Sequence, residues 1–212
     1  RDFINGHDIN IIIHCANIGG TRKTAYDINS TDVVYKNLRM LFNLSSSLGS
    51  HRRMIFLGSG AEYGSKHYLP RMSEDYFGQH IPEDAYGFSK FVCSKCIENS
   101  INIINLRLFG IFGKYEDYSY RFISNSIVKN ILGLPIVINQ NVYFDYLYIN
   151  DLVKIIEYFI NNKADHKFYN VATGKVIDLV SIAKKINEIS LNKSEIVIKN
   201  EGLNTEYSAD NT

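Results

Sequence analysis

Residues 53–60 read Arg53-Met54-Ile55-Phe56-Leu57-Gly58-Ser59-Gly60. The run from Met54 to Leu57 is unbroken and apolar, without the alternation of a strand wetted on one side. That is the pattern of a strand covered on both faces, and such strands belong to parallel sheets. The glycines close the run at its carboxyl end and leave one hydroxyl, Ser59, in the turn. Upstream, Ile11 to Cys15 is a second buried run, closed by Gly19-Gly20. Between the two, Val33, Val34, Leu38, Leu41, Phe42 and Leu44 fall near helical spacing over 31–48, with Ser30 or Thr31 as N-cap and Gly49 as stop. Downstream, the segment to Pro82 is rich in Tyr, His and Glu and longer than a plain connection. Ala85 to Asn99 then reads as a helix, Ile101 to Leu108 as a strand, and Tyr120 to Leu132 as a helix ended by Gly133 and Pro135. Strand and helix alternate three times, which predicts an α/β protein with a doubly wound parallel sheet and right-handed crossovers.

Beyond residue 135 the pattern is mixed: a strand near Ile136 to Ile138, a helix Asn150 to Asn161, a strand Lys167 to Val171 and a helix Leu179 to Ile189 capped by Asp178 or Ser181. The division expected is therefore 1–135 for the sheet domain and 136–212 for a smaller lobe whose elements partly return to the sheet. The chain of 212 residues is 45% hydrophobic and 21% charged, ordinary for a folded protein. Lys plus Arg number 23 against 22 Asp plus Glu, a formal charge of +1, with no dense basic tract to neutralise a run of phosphates, so nucleic acid is not expected as a partner. No stretch reaches the roughly 18 apolar residues of a membrane span. Three cysteines, Cys15, Cys93 and Cys96, make no disulfide framework and fit a reducing cytoplasm. Cys93 and Cys96 form a CxxC, but zinc needs two more ligands and a redox CxxC opens a helix, whereas this one lies inside one; no metal site is expected.

The chemistry concentrates at Ser59, Tyr86 and Lys90. A phenol and an ammonium four residues apart share one helix face, where the ammonium favours the tyrosinate and lets Tyr86 exchange protons with a substrate hydroxyl or carbonyl. Ser59 lies at the carboxyl end of a strand, where parallel α/β sheets bind ligands, and can donate a hydrogen bond to the same oxygen. Glu62, beside Tyr63 in the turn, is expected to point to solvent.

With these residues in place the chain resembles the extended short-chain dehydrogenase/reductase family, the NAD-dependent epimerases and dehydratases of nucleotide sugars. The resemblance runs through six segments in order. His14-Cys15-Ala16-Asn17 looks like the cofactor-lining turn, and Asn37 lies where the family carries an asparagine in the next helix. Phe56-Leu57-Gly58-Ser59-Gly60-Ala61-Glu62-Tyr63-Gly64 resembles the strand and loop of the catalytic Ser or Thr, and Tyr86-Gly87-Phe88-Ser89-Lys90 the YxxxK motif. Leu106 to Gly113, Asp145 to Asp151 and Tyr169 to Gly174 resemble three further signatures. The resemblance implies a partial Rossmann-like dinucleotide domain over 1–135 and a substrate lobe over 136–212. It implies Ser59, Tyr86 and Lys90 as the catalytic set, with NAD or NADP held by Ala16, Asn17, Asn37, Leu57, Tyr86, Lys90 and Leu108. The nucleotide-sugar substrate would meet Ser59, Gly60, Ala61, Gly110, Arg121 and Asn125. A homodimer through the 31–48 and 85–99 helices is implied as well.

Departures from the family narrow the expectation. The GxxGxxG turn that lays a pyrophosphate on a helix N-terminus is absent, and the chain opens at Arg1 within a few residues of a buried strand; the first strands of the sheet are expected to lie outside it. Family dehydratases carry an Asp-Glu pair after the catalytic hydroxyl, where this chain has Gly60 and Ala61, and Ala61 also replaces the Cys of fucose-synthase-like members. Oxidation and reduction at one carbinol carbon remain: 4-epimerisation of a nucleotide sugar or reduction of a 4-keto sugar. Gly110 replaces an Asn and Phe144 an Arg of many relatives, which leaves the sugar and base open. The competing reading is a regulatory protein that keeps the dinucleotide fold without turnover.

Overall fold

The computed structural model describes residues 2–19, 30–49 and 51–210. Gly20, half of the expected Gly19-Gly20 closure, lies outside them. In chain order the elements are α1 (Asp2–Asn5), β1 (Ile11–His14), α2 (Ser30–Ser45), β2 (Arg53–Ser59), α3 (Ala85–Glu98), β3 (Ile103–Leu108), β4 (Gly110–Phe112), α4 (Phe122–Ile131), β5 (Ile136–Asn141), β6 (Tyr143–Tyr148), α5 (Ile149–Asn161), β7 (Phe168–Val171), β8 (Val176–Asp178), α6 (Leu179–Ile189) and β9 (Ile196–Leu203). Short 3₁₀ turns at Gly60–Tyr63, Ser65–His67 and Glu74–Tyr76 order the long connection between β2 and α3.

Contacts group the chain into two units that interleave along the sequence rather than dividing at residue 135. One comprises Arg1–His67, Ser73–Leu108 and Val153–Val171, the other Tyr68–Met72, Phe109–Leu152 and Ala172–Thr212. The first contains the expected sheet, with order β1-β2-β3-β7, every neighbour parallel. Leu57 pairs with Leu106, Gly58 with Arg107 and Ser59 with Leu108. Its core forms where Met54, Phe56 and Ile103 meet Leu41 of α2 and Cys93 and Ile97 of α3. Each of these side chains is nearly fully buried, so each of the Met, Phe, Ile and Leu side chains contributes roughly 1.5–3 kcal/mol of apolar transfer free energy. Cys93 is thus a core residue, while Cys96, three positions on, is exposed.

In the second unit α6 packs Leu179, Ile182, Ala183 and Ile186 on Ile136, Ile138 and Val142. Asp178 caps that helix, accepting the Ser181 amide at 3.1 Å. This unit holds the strands that the sequence hid. β4 pairs with β6, β6 with β8, and β5 with β9. β9 is exposed along most of its length and shows no apolar period. Asp145 is fully buried on β6 and accepts the backbone N–H groups of Thr173 and Gly174, at 2.8 and 2.7 Å. Among the described residues, no helix is long and apolar enough to cross a membrane.

Candidate active site

β2 ends at Ser59 in an extended conformation, and the chain turns at once into the 3₁₀ helix Gly60–Tyr63 with Ser59 as its N-cap. The Ser59 Oγ accepts the Ala61 amide at 3.1 Å, and Glu62 Oε1 reaches back to accept the Ser59 amide at 3.0 Å. This reciprocal arrangement is a capping box. It occupies one lone pair of the serine oxygen and leaves the O–H proton free to be donated outward.

α3 begins at Asp84, whose carboxylate accepts the Gly87 amide at 2.8 Å. Tyr86, Lys90 and Ser94 follow at four-residue intervals and share one face. Gly87 is the residue that lets this helix meet the serine turn: a Cβ there would stand 2.8 Å from the Ala61 carbonyl oxygen and 2.9 Å from Pro82. The turn that carries Ser59 and the helical turn that carries Tyr86 are therefore in direct contact. Lys90 is buried with 3% of its surface exposed. Its Nζ donates to the Leu57 carbonyl at 2.7 Å and lies 5.9 Å from the centre of the Tyr86 ring. Burial pulls the Lys90 ammonium below the ordinary lysine range, opposed by the carboxylate of Glu62 and by Cys93 and Cys15.

The expected cofactor residues gather around the same strand ends. Asn37 of α2 is buried and accepts the Ile18 amide at 2.8 Å while donating to the Ile18 carbonyl and to Ser89 Oγ, both at 2.9 Å. Ser89 donates in turn to the Tyr86 carbonyl at 2.8 Å. Asn37 thus ties the turn after β1 to α3 and leaves Ala16 and Asn17 exposed. Leu57 supplies its carbonyl to Lys90, and Leu108 ends β3 opposite Ser59. His14, which opens the segment resembling the cofactor-lining turn, is buried against Phe56 with its ring centre 5.2 Å away. Burial and then the charge of Lys90 hold His14 below its ordinary pKa, which favours the uncharged imidazole.

Glu62 corrects the expectation of a solvent-facing carboxylate: it is fully buried. Its Oε2 accepts Arg107 Nε at 2.7 Å and Ser94 Oγ at 2.6 Å, and Asn105 Nδ2 lies 3.3 Å from both oxygens. Arg107 is 1% exposed, its guanidinium 4.1 Å from the centre of the Phe77 ring and 4.6 Å from that of Phe168. Two signals in the sequence pointed here. Ser59 and Glu62 have capping-box spacing, and Asn105 and Arg107 interrupt an otherwise apolar strand, which requires buried partners.

The remaining expected substrate residues, Gly110, Arg121 and Asn125, belong to the second unit. Gly110 has a structural reason to lack a side chain, since a Cβ would stand 2.4 Å from the Asp145 carbonyl oxygen across the β4–β6 pair. Asn125 donates to the Tyr118 carbonyl at 2.9 Å. Arg121 stands exposed at the N-cap of α4.

The first unit brings together a phenol that can exchange a proton, a hydroxyl free to donate one and a desolvated ammonium, at the carboxyl ends of parallel strands. A dinucleotide's ribose and nicotinamide need hydrogen-bond donors, and the donor set fits them: the Lys90 ammonium has two protons beyond the one given to Leu57, and Asn37 anchors the Ile18 end of the turn that carries Ala16 and Asn17. Comparisons with known proteins concern the chain as a whole. The chain is 24% identical over 202 residues to an ADP-L-glycero-D-manno-heptose-6-epimerase of Brachyspira hyodysenteriae, covering 88% of this chain and 61% of that protein. It is 24% identical over 210 residues to a dTDP-4-dehydro-6-deoxyglucose reductase of Escherichia coli, covering 93% and 64%. The chain thus spans less than two thirds of the length of either. In fold it is similar to the UDP-glucose 4-epimerase of Thermotoga maritima crystallised with UDP-glucose, with a TM-score of 0.83 at 18% identity over 99% of this chain and 71% of that one. A Bacillus cereus UDP-glucuronic acid 4-epimerase in complex with NAD gives a TM-score of 0.78 at 19% identity, covering 97% and 66%. Residues 1–172 match the NAD dependent epimerase/dehydratase family, and the chain belongs to that family.

Proposed function

We propose that this chain carries the proton-transfer centre of an NAD(P)-dependent nucleotide-sugar 4-epimerase or 4-keto-sugar reductase. The observation that carries the reading is the contact at Gly87, which sets the Ser59 turn against the first turn of the Tyr86 helix. Tyr86 takes the proton of a sugar hydroxyl or returns one to a ketone. Ser59 donates a hydrogen bond to the same oxygen through the proton that its cap leaves free. Lys90 stabilises the tyrosinate and holds ribose hydroxyls with the protons not given to Leu57. NAD or NADP, when bound, supplies the hydride acceptor that no side chain provides. Ala16, Asn17, Asn37, Leu57 and Leu108 are its proposed neighbours, and Gly60 and Ala61 those of the sugar. Neither Gly60 nor Ala61 carries an acid or base for dehydration. Arg121 is a proposed anion contact. A homodimer through α2 and α3 is supported by Tyr35, Phe42 and Phe88, which are 54%, 49% and 37% exposed on those helices.

In the full-length protein, Tyr86→Phe is expected to lower kcat by about 10²–10⁴-fold. The far-UV circular dichroism and the affinity for NAD(H), measured by fluorescence, are expected to stay near wild type. Turnover of UDP-glucose, UDP-glucuronic acid or a 4-keto sugar nucleotide by the phenylalanine variant at the wild-type rate would overturn the assignment.

A further inference from the structure

The proposed reaction needs Ser59 and Tyr86 registered to a fraction of an ångström, although one stands at a strand end and the other on a helix. A capping box alone cannot fix that relation, because it ties the turn only to itself. Glu62 does more. Its Oε1 holds the Ser59 amide. Its Oε2 holds Ser94, the third member of the stripe Tyr86, Lys90, Ser94 on α3, and the guanidinium of Arg107 on β3. Asn105 Nδ2 bridges the carboxylate and Ser94 Oγ, at 3.3 and 2.5 Å. One carboxylate thus joins the end of β2, the middle of β3 and the catalytic face of α3, and all of these groups are buried or nearly so. A buried ion pair is poor material for stability, because desolvating both charges cancels much of their attraction and apolar pairs often serve as well. Its presence beneath the site calls for another reason.

We infer that Glu62 and Arg107 are positioning residues: their ion pair registers Ser59 against the Tyr86 and Lys90 face of α3. This inference rests on the proposed function, since it assigns the pair a role through Ser59. Glu62 oriented by Arg107 draws the Ser59 amide inward, which sets the Oγ direction through the Ala61 hydrogen bond. The hydrogen bond to Ser94 holds the helix at the matching height.

The test replaces both charges together, as Glu62→Leu with Arg107→Met, in the full-length protein, so that no single charge is left buried. The expected result is a urea midpoint close to wild type, KM within about threefold, and kcat lowered about 10- to 100-fold, the scale for a displaced catalytic group. In a Ser59→Ala background the same pair of substitutions is expected to change kcat by less than about threefold, because its effect passes through Ser59. A structural role would give the same loss in both backgrounds, which overturns the inference, as does wild-type kcat in the apolar variant. Should the apolar pair fail to fold, Glu62→Gln replaces it in the same cycle with the same criteria. Hydrogen exchange at the Ser59 amide is read alongside, independent of turnover. It is expected to accelerate at least tenfold when the pair is removed, and unchanged protection refutes the tether. If Ser59→Ala leaves kcat untouched, the proposed function fails instead, and the exchange measurement still decides the tether.

Discussion

Gly58→Ala is the smallest change that tests whether the buried polar cluster is packed as described. Gly58 is not in the left-handed region of the backbone, so alanine can adopt its conformation, and the unfolded-state effect of the substitution favours the folded protein by about 0.4–1 kcal/mol. The opposing term is steric. The new methyl would lie 2.1 Å from Asn105 Oδ1 and 2.4 Å from Glu62 Oε1, well inside the 3.0 Å that real Cβ contacts essentially never cross. Both neighbours are fully buried and both are anchored, so neither side chain can swing into solvent. They must move about 1 Å, which costs the usual 1–3 kcal/mol of overpacking and weakens the Glu62 hydrogen bonds to Ser59 and Arg107 by a further 1–3 kcal/mol. The net expectation is a loss of about 2–5 kcal/mol, a large part of the 5–15 kcal/mol typical of a folded protein. The chain lacks tryptophan, so urea unfolding followed by far-UV circular dichroism is the suitable assay. A Gly58→Ala variant that unfolds within about 0.5 kcal/mol of wild type would show that β2, β3 and the Ser59 turn are not packed this closely.

Two further outcomes follow from ionisable groups. Burial, with Glu62 and Glu74 adding to it and Arg107 opposing, pushes the Tyr63 phenol up from 10.0 to about 12. A raised folded pKa contributes stability that is complete well below pH 10 and is lost as pH rises towards 12, so wild type is expected to lose about 1 kcal/mol more than Tyr63→Phe between pH 10 and 11. Equal losses in alkaline urea titrations would refute it; at pH 7 the variant is expected to be less stable by about 1–2 kcal/mol through its lost bond to Asn170. At the other end of the scale, partial burial raises the Asp178 carboxyl, but hydrogen bonds from Ser181, Asn141 and Val180 outweigh it and bring it below its ordinary value. Asp178→Ala is expected to cost about 1 kcal/mol near neutrality, and the difference should shrink as pH falls below the ordinary carboxylate range; a gap that persists in acid would contradict the cap.

The sheet of the first unit was legible because β2 and β3 are covered strands, and a covered strand writes itself as an apolar run whatever its neighbours do; β1 has the same apolar run, but it is only partly covered and Ile13 is exposed. The helices were legible to within a few residues for the matching reason that α2 and α3 bury one face on that sheet. β4, β8 and β9 escaped because they are short or exposed, so alternation was never imposed on them. Gly110 reads in sequence as a missing ligand group, whereas the approach of the Asp145 carbonyl gives it a reason that only three-dimensional proximity supplies.

Glu62 was misplaced for a different cause. A carboxylate in a polar turn belongs to solvent by average behaviour, and only a buried guanidinium within reach reverses that preference. The reversal was written in β3, 45 residues away, as an arginine inside the run Ile103–Leu108. Gly58 belongs to the same arrangement, because the position it occupies is the one from which any side chain would expel Glu62. Gly58, Glu62, Asn105 and Arg107 therefore constrain one another. A relative with a side chain at the position of Gly58 cannot hold a buried carboxylate in this place and must register its catalytic hydroxyl by other contacts. The Ser59, Tyr86 and Lys90 motif names the reacting groups, while the residues that set their spacing lie outside it.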